Sequence, residues 1–381
     1  MQIPSGNPSD PISIMYPGHN SSKMCNPDTT HRIYFEKSHE MKQLEDESVD
    51  LVVTSPPYPM ISMWDDLFTS MSPEIGLQLN TENGWIAFDM MHTELDKTWG
   101  ELYRVMRNGG LVCINVGDAT RKVGNEFALY SSHSRITELM LQHGFHALTG
   151  ILWRKPTNSP NKFMGSGMLP AGAYITLEHE HILVFRKGGK RVFATEKERE
   201  NRRKSSYFWE ERNRWFSDIW QDLKGASQIL DPEGPRKRSA AFPIELPFRL
   251  INMFSVKGDT VLDPFLGTGT TSVAALMSQR CSIGYEMDEK LSGIIHERIT
   301  NSGSISNAYL MDRVLKHREF VSNQQELGKQ FKYHNDHLGV PVKERSEQYI
   351  ELNLVKKVSP IEPGRHYTTI YEPVKPLPGR R

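Results

Sequence analysis

Apolar positions along the chain recur with two different periods, and the two alternate. Val49, Leu51, Val52 and Val53 form a nearly continuous apolar run, as expected of a strand buried on both faces of a parallel sheet. Leu95, Trp99, Leu102, Tyr103 and Met106 instead fall on one face at helical spacing, which predicts a helix over Glu94–Arg107. Asn108, Gly109 and Gly110 read as its C-terminal stop. Further strands are predicted at Arg32–Phe35, Leu111–Val116, Ala147–Trp153, Thr260–Leu262 and Cys281–Tyr285, with one or two more over Tyr174–Arg186. Helices are predicted from Ile136 to Leu141, ending at Gly144, from Pro243 to Phe254 with proline in the tolerated first turn, and from Thr270 to Gln279. A last helix carries Leu291, Ile294, Ile295 and Arg298. Alternation of this kind predicts an α/β fold: a doubly wound, mostly parallel sheet with helices on both faces and its ligands beyond the carboxyl ends of the strands.

Breaks in the alternation divide the chain. Residues 1–30, rich in Pro, Ser, Gly and Asn, read as a loose N-terminal arm, and 31–186 as the first part of the α/β domain. From 187 to 237 the pattern is lost; between Arg186 and Arg238 stand 15 Lys and Arg against 9 Asp and Glu. This excess makes a local basic face although the formal net charge of the 381 residues is zero. Tyr207, Phe208, Trp209, Trp215, Phe216 and Trp220 are interleaved there, either for nucleic-acid contact or as a small core. Residues 238–301 resume the α/β pattern, and 302–381 form a polar, basic C-terminal extension.

Hydrophobic residues at 38% and charged residues at 24% indicate a folded, water-exposed chain. No apolar run approaches the ~20 residues of a membrane span, and the first residues lack a signal peptide, so a cytoplasmic location is expected. Cys25, Cys113 and Cys281 form no CxxC pair, which argues against a zinc or redox site. His179 and His181 would share one face of a strand with Glu180 opposite, but no third ligand is evident, and no metal is expected.

Chemistry is concentrated in two loops. Asp263, Pro264, Phe265, Leu266, Gly267, Thr268, Gly269, Thr270 and Thr271 follow a strand and open a helix. The glycines permit a sharp turn and close approach of the backbone to a ligand. Glu286 ends the next strand, where a carboxylate can accept both ribose hydroxyls of a nucleoside. No Lys follows Gly269, which disfavours a phosphate-gripping loop, and position 272 is Ser where a nicotinamide fingerprint has its third Gly. Asp263 would repel a pyrophosphate and welcome an ammonium. S-adenosylmethionine, which carries an ammonium and no phosphate, fits this set.

The second loop, Thr54, Ser55, Pro56, Pro57 and Tyr58, directly follows the strand at Val49–Val53. Two prolines fix the backbone and remove two N–H donors, leaving carbonyl acceptors, a hydroxyl and an aromatic plane. Ser55 Oγ and the Pro56 carbonyl could accept the two hydrogens of an exocyclic amine and free its lone pair, while Tyr58 stacks on the base. Acceptors held in place stabilise the positive charge that grows on nitrogen as it attacks a methyl group.

The two loops together resemble those of the amino-directed DNA methyltransferases, and their order resembles the circularly permuted beta group. The resemblance spans roughly Arg32 to Thr300. It implies the S-adenosylmethionine-dependent methyltransferase fold, with Ser55, Pro56, Pro57 and Tyr58 as catalytic residues. The implied cofactor-binding set is Thr54, Asp263, Pro264, Phe265, Gly267, Gly269, Thr270 and Glu286, together with Phe242 and Pro243 from Arg238–Leu246, which resembles the family's second cofactor motif. Trp153, Arg154, Lys155 and Pro156 resemble the segment that closes over a flipped base, and Glu180–Phe185 the strand that follows. Residues 187–237 occupy the place of the target-recognition region, and the tail is expected to extend the DNA contacts. Where the family often has Gly-Asp stand Glu36, Lys37 and Ser38, and Arg238 stands where His is frequent.

The Ser form of the catalytic motif implies methylation of cytosine N4 in double-stranded DNA, with base flipping. Adenine N6, RNA, and a catalytically silent binder of cofactor or DNA are the alternatives. A carbon-5 enzyme would need a nucleophilic Cys after Pro, and Cys25 follows Met24. A cognate restriction endonuclease acting separately is the implied setting; monomer and homodimer both remain open.

Overall fold

The computed structural model describes residues 28–155, 164–225 and 242–374. Ten strands form one sheet: β1 (Thr29–Tyr34), β2 (Val49–Thr54), β3 (Met106–Val116), β4 (Phe145–Arg154), β5 (His179–Lys187), β6 (Ile219–Trp220), β7 (Thr260–Asp263), β8 (Cys281–Tyr285), β9 (Asn353–Glu362) and β10 (His366–Pro373). Their spatial order is β6-β4-β5-β3-β2-β7-β8-β1-β10-β9. The run from β3 to β1 is parallel throughout. β5 runs antiparallel to both of its neighbours, and the β10–β9 pair adds an antiparallel edge. The expected mostly parallel, doubly wound sheet is therefore present.

Two cores lie on its two faces. On one, the buried stripe Ala87, Phe88, Met91, Leu95, Trp99 and Leu102 of α1 (Gly84–Val105) packs with α2 (Ser132–Gln142) on Val52, Val112, Ile114 and Leu262. On the other, α3 (Glu245–Phe254), α4 (Thr270–Met277) and α5 (Ser292–Thr300) cover Leu51, Val53, Cys113 and Val261. Strand side chains alternate between the faces, so a strand buried on both must be apolar almost throughout; all six residues of β2 are buried.

The start of α1 lies ten residues before the expected Glu94 because Trp85 and Ile86 are exposed and blur the apolar stripe. The helix also ends before Asn108. Met106 enters β3 directly, and Gly109, at φ +85°, sits inside that strand where the register with β2 shifts. It is a bulge glycine rather than a helix cap, and a Cβ there would lie 2.7 Å from the Arg191 backbone nitrogen.

The C-terminal region is more ordered than its polar composition suggests. A 25-residue helix, α6 (Ser302–Glu326), is followed by the two strands β9 and β10 that complete the sheet beside β1. The basic segment folds against it. Phe208 joins Leu310, Val314, Val340, Val342 and Ile350 in a third core, and the buried Glu211 carboxylate takes two hydrogen bonds from Arg313, at 2.7 and 2.8 Å. Trp215 and Trp220 are each 1% exposed. Trp215 and Trp220 belong to the main core that packs α3 and α4 on the sheet, while Phe208 lies in the small third core. No helix among the described residues is long and apolar enough to cross a membrane.

Candidate active site

β7 continues through α4 to β8 on one side of the sheet, whereas β2 continues through α1 to β3 on the other. The winding thus reverses between β7 and β2, and a crevice opens beyond their carboxyl ends. The glycine loop leaves β7 and the Thr-Ser-Pro-Pro-Tyr turn leaves β2, so the fold brings together residues 209 positions apart. A hydrogen bond from Thr54 Oγ1 to Asp263 Oδ1, 2.6 Å long, fastens one loop to the other.

Asp263 is only 2% exposed. Its Oδ2 accepts from Thr271 Oγ1 at 2.6 Å, and its Oδ1 also accepts from the Phe265 N–H at 3.1 Å. Burial pushes its carboxyl up to about 6, and the bonds from Thr271, Thr54 and Phe265 only partly oppose that. Neither Asp263 nor Thr54 presents its side chain to the crevice. In this structure the Asp263 carboxylate, expected to meet a ligand ammonium, is engaged by three donors of the chain itself. Pro264 and Thr270 are buried as well, and Phe242 belongs to the core, while Pro243 is half-buried.

Three other predicted residues, Gly267, Glu286 and Phe265, are partly exposed, and Gly269 is buried beside them. Gly267 has φ +55°, and a Cβ built on it would meet nothing within 4 Å. Gly269, at φ +84°, completes the turn into α4. Glu286 reaches across from the end of β8, where its Oε2 accepts from the Gly267 N–H at 2.8 Å and its Oε1 from the Asp288 N–H at 2.9 Å. Phe265 is half-buried and packs edge-on against Trp99. The result is an open glycine cradle with an aromatic wall and a carboxylate at its rim. An adenosyl group bearing an ammonium is compatible with this carboxylate-rimmed glycine turn, where a Cβ on Gly267 would meet no atom within 4 Å.

At the other loop, Pro56 and Pro57 are buried, while Ser55 and Tyr58 are half-buried. Ser55 Oγ lies 3.0 Å from the Tyr58 hydroxyl. That hydroxyl donates to Glu180 Oε2 at 3.0 Å and accepts from Asn115 Nδ2 at 2.8 Å. Asn115 Nδ2 also donates to Glu180 Oε2, at 2.7 Å, and Lys155 Nζ donates to Oε1, at 2.9 Å. Burial and the adjacent Glu180 carboxylate push the Tyr58 phenol well above its ordinary range. Gly117 leaves room for the ring: a Cβ there would stand 3.0 Å from Tyr58 Cε2.

Sequence reasoning missed the partnership of Asn115, Glu180 and Lys155 with Tyr58. The available signal was the expected placement of Glu180 on the face opposite His179 and His181, and the sheet makes that face the catalytic one. Trp153 departs from expectation. It is fully buried and donates its indole N–H to Leu223 O, so it anchors the strand and cannot itself close over a base. Pro156, Arg238, Ala240 and Ala241 lie outside the described residues, as do 1–27 of the expected arm and 226–237 of the expected recognition region.

On the opposite face of β5, His181 meets Asp118 and His133, a pairing invisible in sequence. The His133 and His181 rings stack at 3.9 Å and 13°, and with Asp118 they bring together three side chains of metal-ligating type where the sequence showed no third. His133 Nδ1 is held directly by Asp118 Oδ2 at 2.7 Å. Burial and the neighbouring His133 push His181 down to about 4.

Comparison with known proteins agrees with this geometry. Residues 49–297 match a family described as DNA methylase, N6_N4_Mtase. The chain is 49% identical over 354 residues to the type II methyltransferase M.MthZI of Methanothermobacter thermautotrophicus, covering 93% of this chain and 98% of that protein. It is 50% identical over 282 residues to the type II methyltransferase M.MjaI of Methanocaldococcus jannaschii, covering 71% and 91%. Among solved structures, a candidate DNA modification methylase of Thermus thermophilus in complex with S-adenosyl-L-methionine superposes with a TM-score of 0.56 at 32% identity, over 71% of this chain and 95% of that one.

Proposed function

The chain belongs to the N6/N4 DNA methylase family, and from that premise we propose that it methylates the exocyclic N4 amine of a cytosine flipped out of double-stranded DNA. It is a DNA methyltransferase whose cofactor is S-adenosylmethionine. When bound, that cofactor supplies an electrophilic methyl group.

The observation that carries the reading is the Thr54–Asp263 bond. It locks the amine-accepting turn and the glycine cradle into one crevice, so that an amine at Ser55 lies beside a nucleoside in the cradle. Glu286 holds the cradle through the Gly267 N–H and is the carboxylate that would meet the ribose hydroxyls. Phe265 and Pro243 line the adenine side. Ser55 Oγ and the Pro56 carbonyl accept the amine hydrogens, leaving the nitrogen lone pair to point at the methyl group, and Tyr58 stacks on the base. Orientation supplies much of the acceleration, and fixed acceptors offset the charge growing on nitrogen.

The Ser at position 55, rather than Asp, supports cytosine N4 over adenine N6. The type II relatives support a setting in which a separate endonuclease cuts the unmodified site. Incubation of the protein with tritiated S-adenosylmethionine and unmethylated DNA, followed by digestion and chromatography of the nucleosides, tests the proposal. Label in N4-methylcytosine that is lost in Ser55→Ala is the expected result. Label in N6-methyladenine would overturn the base assignment. Absence of label from DNA would refute the proposal.

A further inference from the structure

We propose that Glu180 is the terminal acceptor of a proton relay that runs from the substrate amine through Ser55 and Tyr58. The inference rests on the amine-methylation reading above, though not on which base bears the amine.

Methylation of an exocyclic amine forms a nitrogen–carbon bond from the nitrogen lone pair, returns the sulfur–carbon electron pair to sulfur, and leaves one excess proton on nitrogen. The hydrogen bonds around Tyr58 have a fixed direction. A carboxylate only accepts, so the single phenolic proton of Tyr58 is committed to Glu180 Oε2. An amide NH2 only donates, so Asn115 fills one lone pair of the Tyr58 oxygen. The Ser55 hydroxyl, 3.0 Å away, must then donate to the other. This leaves the Ser55 oxygen with its lone pairs turned away from Tyr58, towards whatever enters the crevice.

The amine proton passes to Ser55 Oγ as the serine proton passes to Tyr58 Oη and the tyrosine proton to Glu180. Both hydroxyls end neutral, and the carboxylate ends protonated. Lys155 binds the other Glu180 oxygen at 2.9 Å and is 37% exposed, which links the end of the chain to water for reset. The sheet holds this geometry. Asn115 and Glu180 project from β3 and β5 on one face, while Gly117 makes room for the Tyr58 ring between them.

The other charged or titratable groups near Glu180 are His181, with Asp118 and His133 beyond it on the opposite face of the strand, His179, and the Arg154–Glu178 ion pair at the rim. Among the described residues, none of these stands between Tyr58 and Glu180.

The test is Glu180→Gln beside Tyr58→Phe and the double variant, in single-turnover methylation with S-adenosylmethionine binding measured by calorimetry. Glutamine keeps an acceptor for Tyr58 and removes its basicity; phenylalanine keeps the ring and breaks the chain. Each single variant is expected to slow methylation about a hundredfold, with cofactor affinity within about threefold of wild type. The double variant should be no slower than either single, as for parts of one device. If the relay needs an ionised terminal acceptor, the wild-type rate should fall towards acid pH, and Glu180→Gln should lose that limb. A Glu180→Gln rate within about threefold of wild type, an unchanged acid limb, or a double variant whose losses multiply would overturn the relay. Product analysis of the wild type reports separately on the base, so N6-methyladenine would refute the cytosine assignment and leave the relay to be judged by these rates.

Discussion

Replacing Thr54 by valine removes one hydroxyl and almost no volume from the joint between the two active-site loops. In the native protein that hydroxyl donates to Asp263 Oδ1 at 2.6 Å, with both residues at most 2% exposed. A hydrogen bond to a buried charged acceptor contributes about 1.5–3 kcal/mol, and its loss leaves Oδ1 with the Phe265 N–H alone. The loss should depend on pH, because Asp263 lies near 6 against 3.8 for the unperturbed group. A carboxyl raised in the folded state binds its proton more tightly there. Its contribution to stability therefore falls as pH rises from about 4 to about 6, by about 3 kcal/mol in all. The Thr54 bond stabilises the ionised form and limits that fall. Thr54→Val should therefore cost about 2 kcal/mol at pH 8 and less than about 1 kcal/mol at pH 5, where Asp263 is neutral in both proteins. Urea unfolding at the two pH values, with S-adenosylmethionine affinity followed alongside, measures both quantities. Equal destabilisation at pH 8 and pH 5, or none at pH 8, would refute the reasoning.

Gly267→Ala meets no clash but forces a Cβ into a φ of +55°, so stability should drop by about 1 kcal/mol. The methyl group also occupies the cradle, and calorimetry should show S-adenosylmethionine affinity reduced by about tenfold or more. Arg313→Met strands the buried Glu211 carboxylate and should destabilise the protein by about 3–5 kcal/mol in urea unfolding, whereas Glu211→Gln combined with Arg313→Met should cost much less. Burial alone would lower the proton affinity of His317, but the Glu210 carboxylate and the Pro341 carbonyl outweigh it and hold the imidazole above its ordinary value. Its stabilisation is therefore fully present below about pH 6.5 and is lost as pH rises through the higher folded value. The stability gap between wild type and His317→Gln should close in the same direction.

The alternation of strands and helices and both reactive loops are legible in the amino-acid order, because each is written in local pattern. A strand buried on two faces must be apolar almost throughout, as Val49–Val53 is apart from Asp50, which is ion-paired with Arg107, and a backbone that turns at φ +55° and +84° needs Gly267 and Gly269. The pair Pro56-Pro57 at a strand end is likewise a statement about one short segment. Which side chains face the crevice emerges only from the folded chain. Asp263 and Thr54 read as ligand-facing until the fold turned them on each other. Glu180 read as one residue of a strand until antiparallel pairing of β5 with β3 set it close to Gly117 and beside Tyr58. The tail from Ser302 read as polar extension, yet its strands close the sheet and its helix buries the Arg313 partner of Glu211. The bonds Thr54–Asp263, Tyr58–Glu180 and Arg313–Glu211 join residues 209, 122 and 102 positions apart. A local period of two or 3.6 carries no information about partners so distant; they are chosen by which strands lie side by side and which faces are buried.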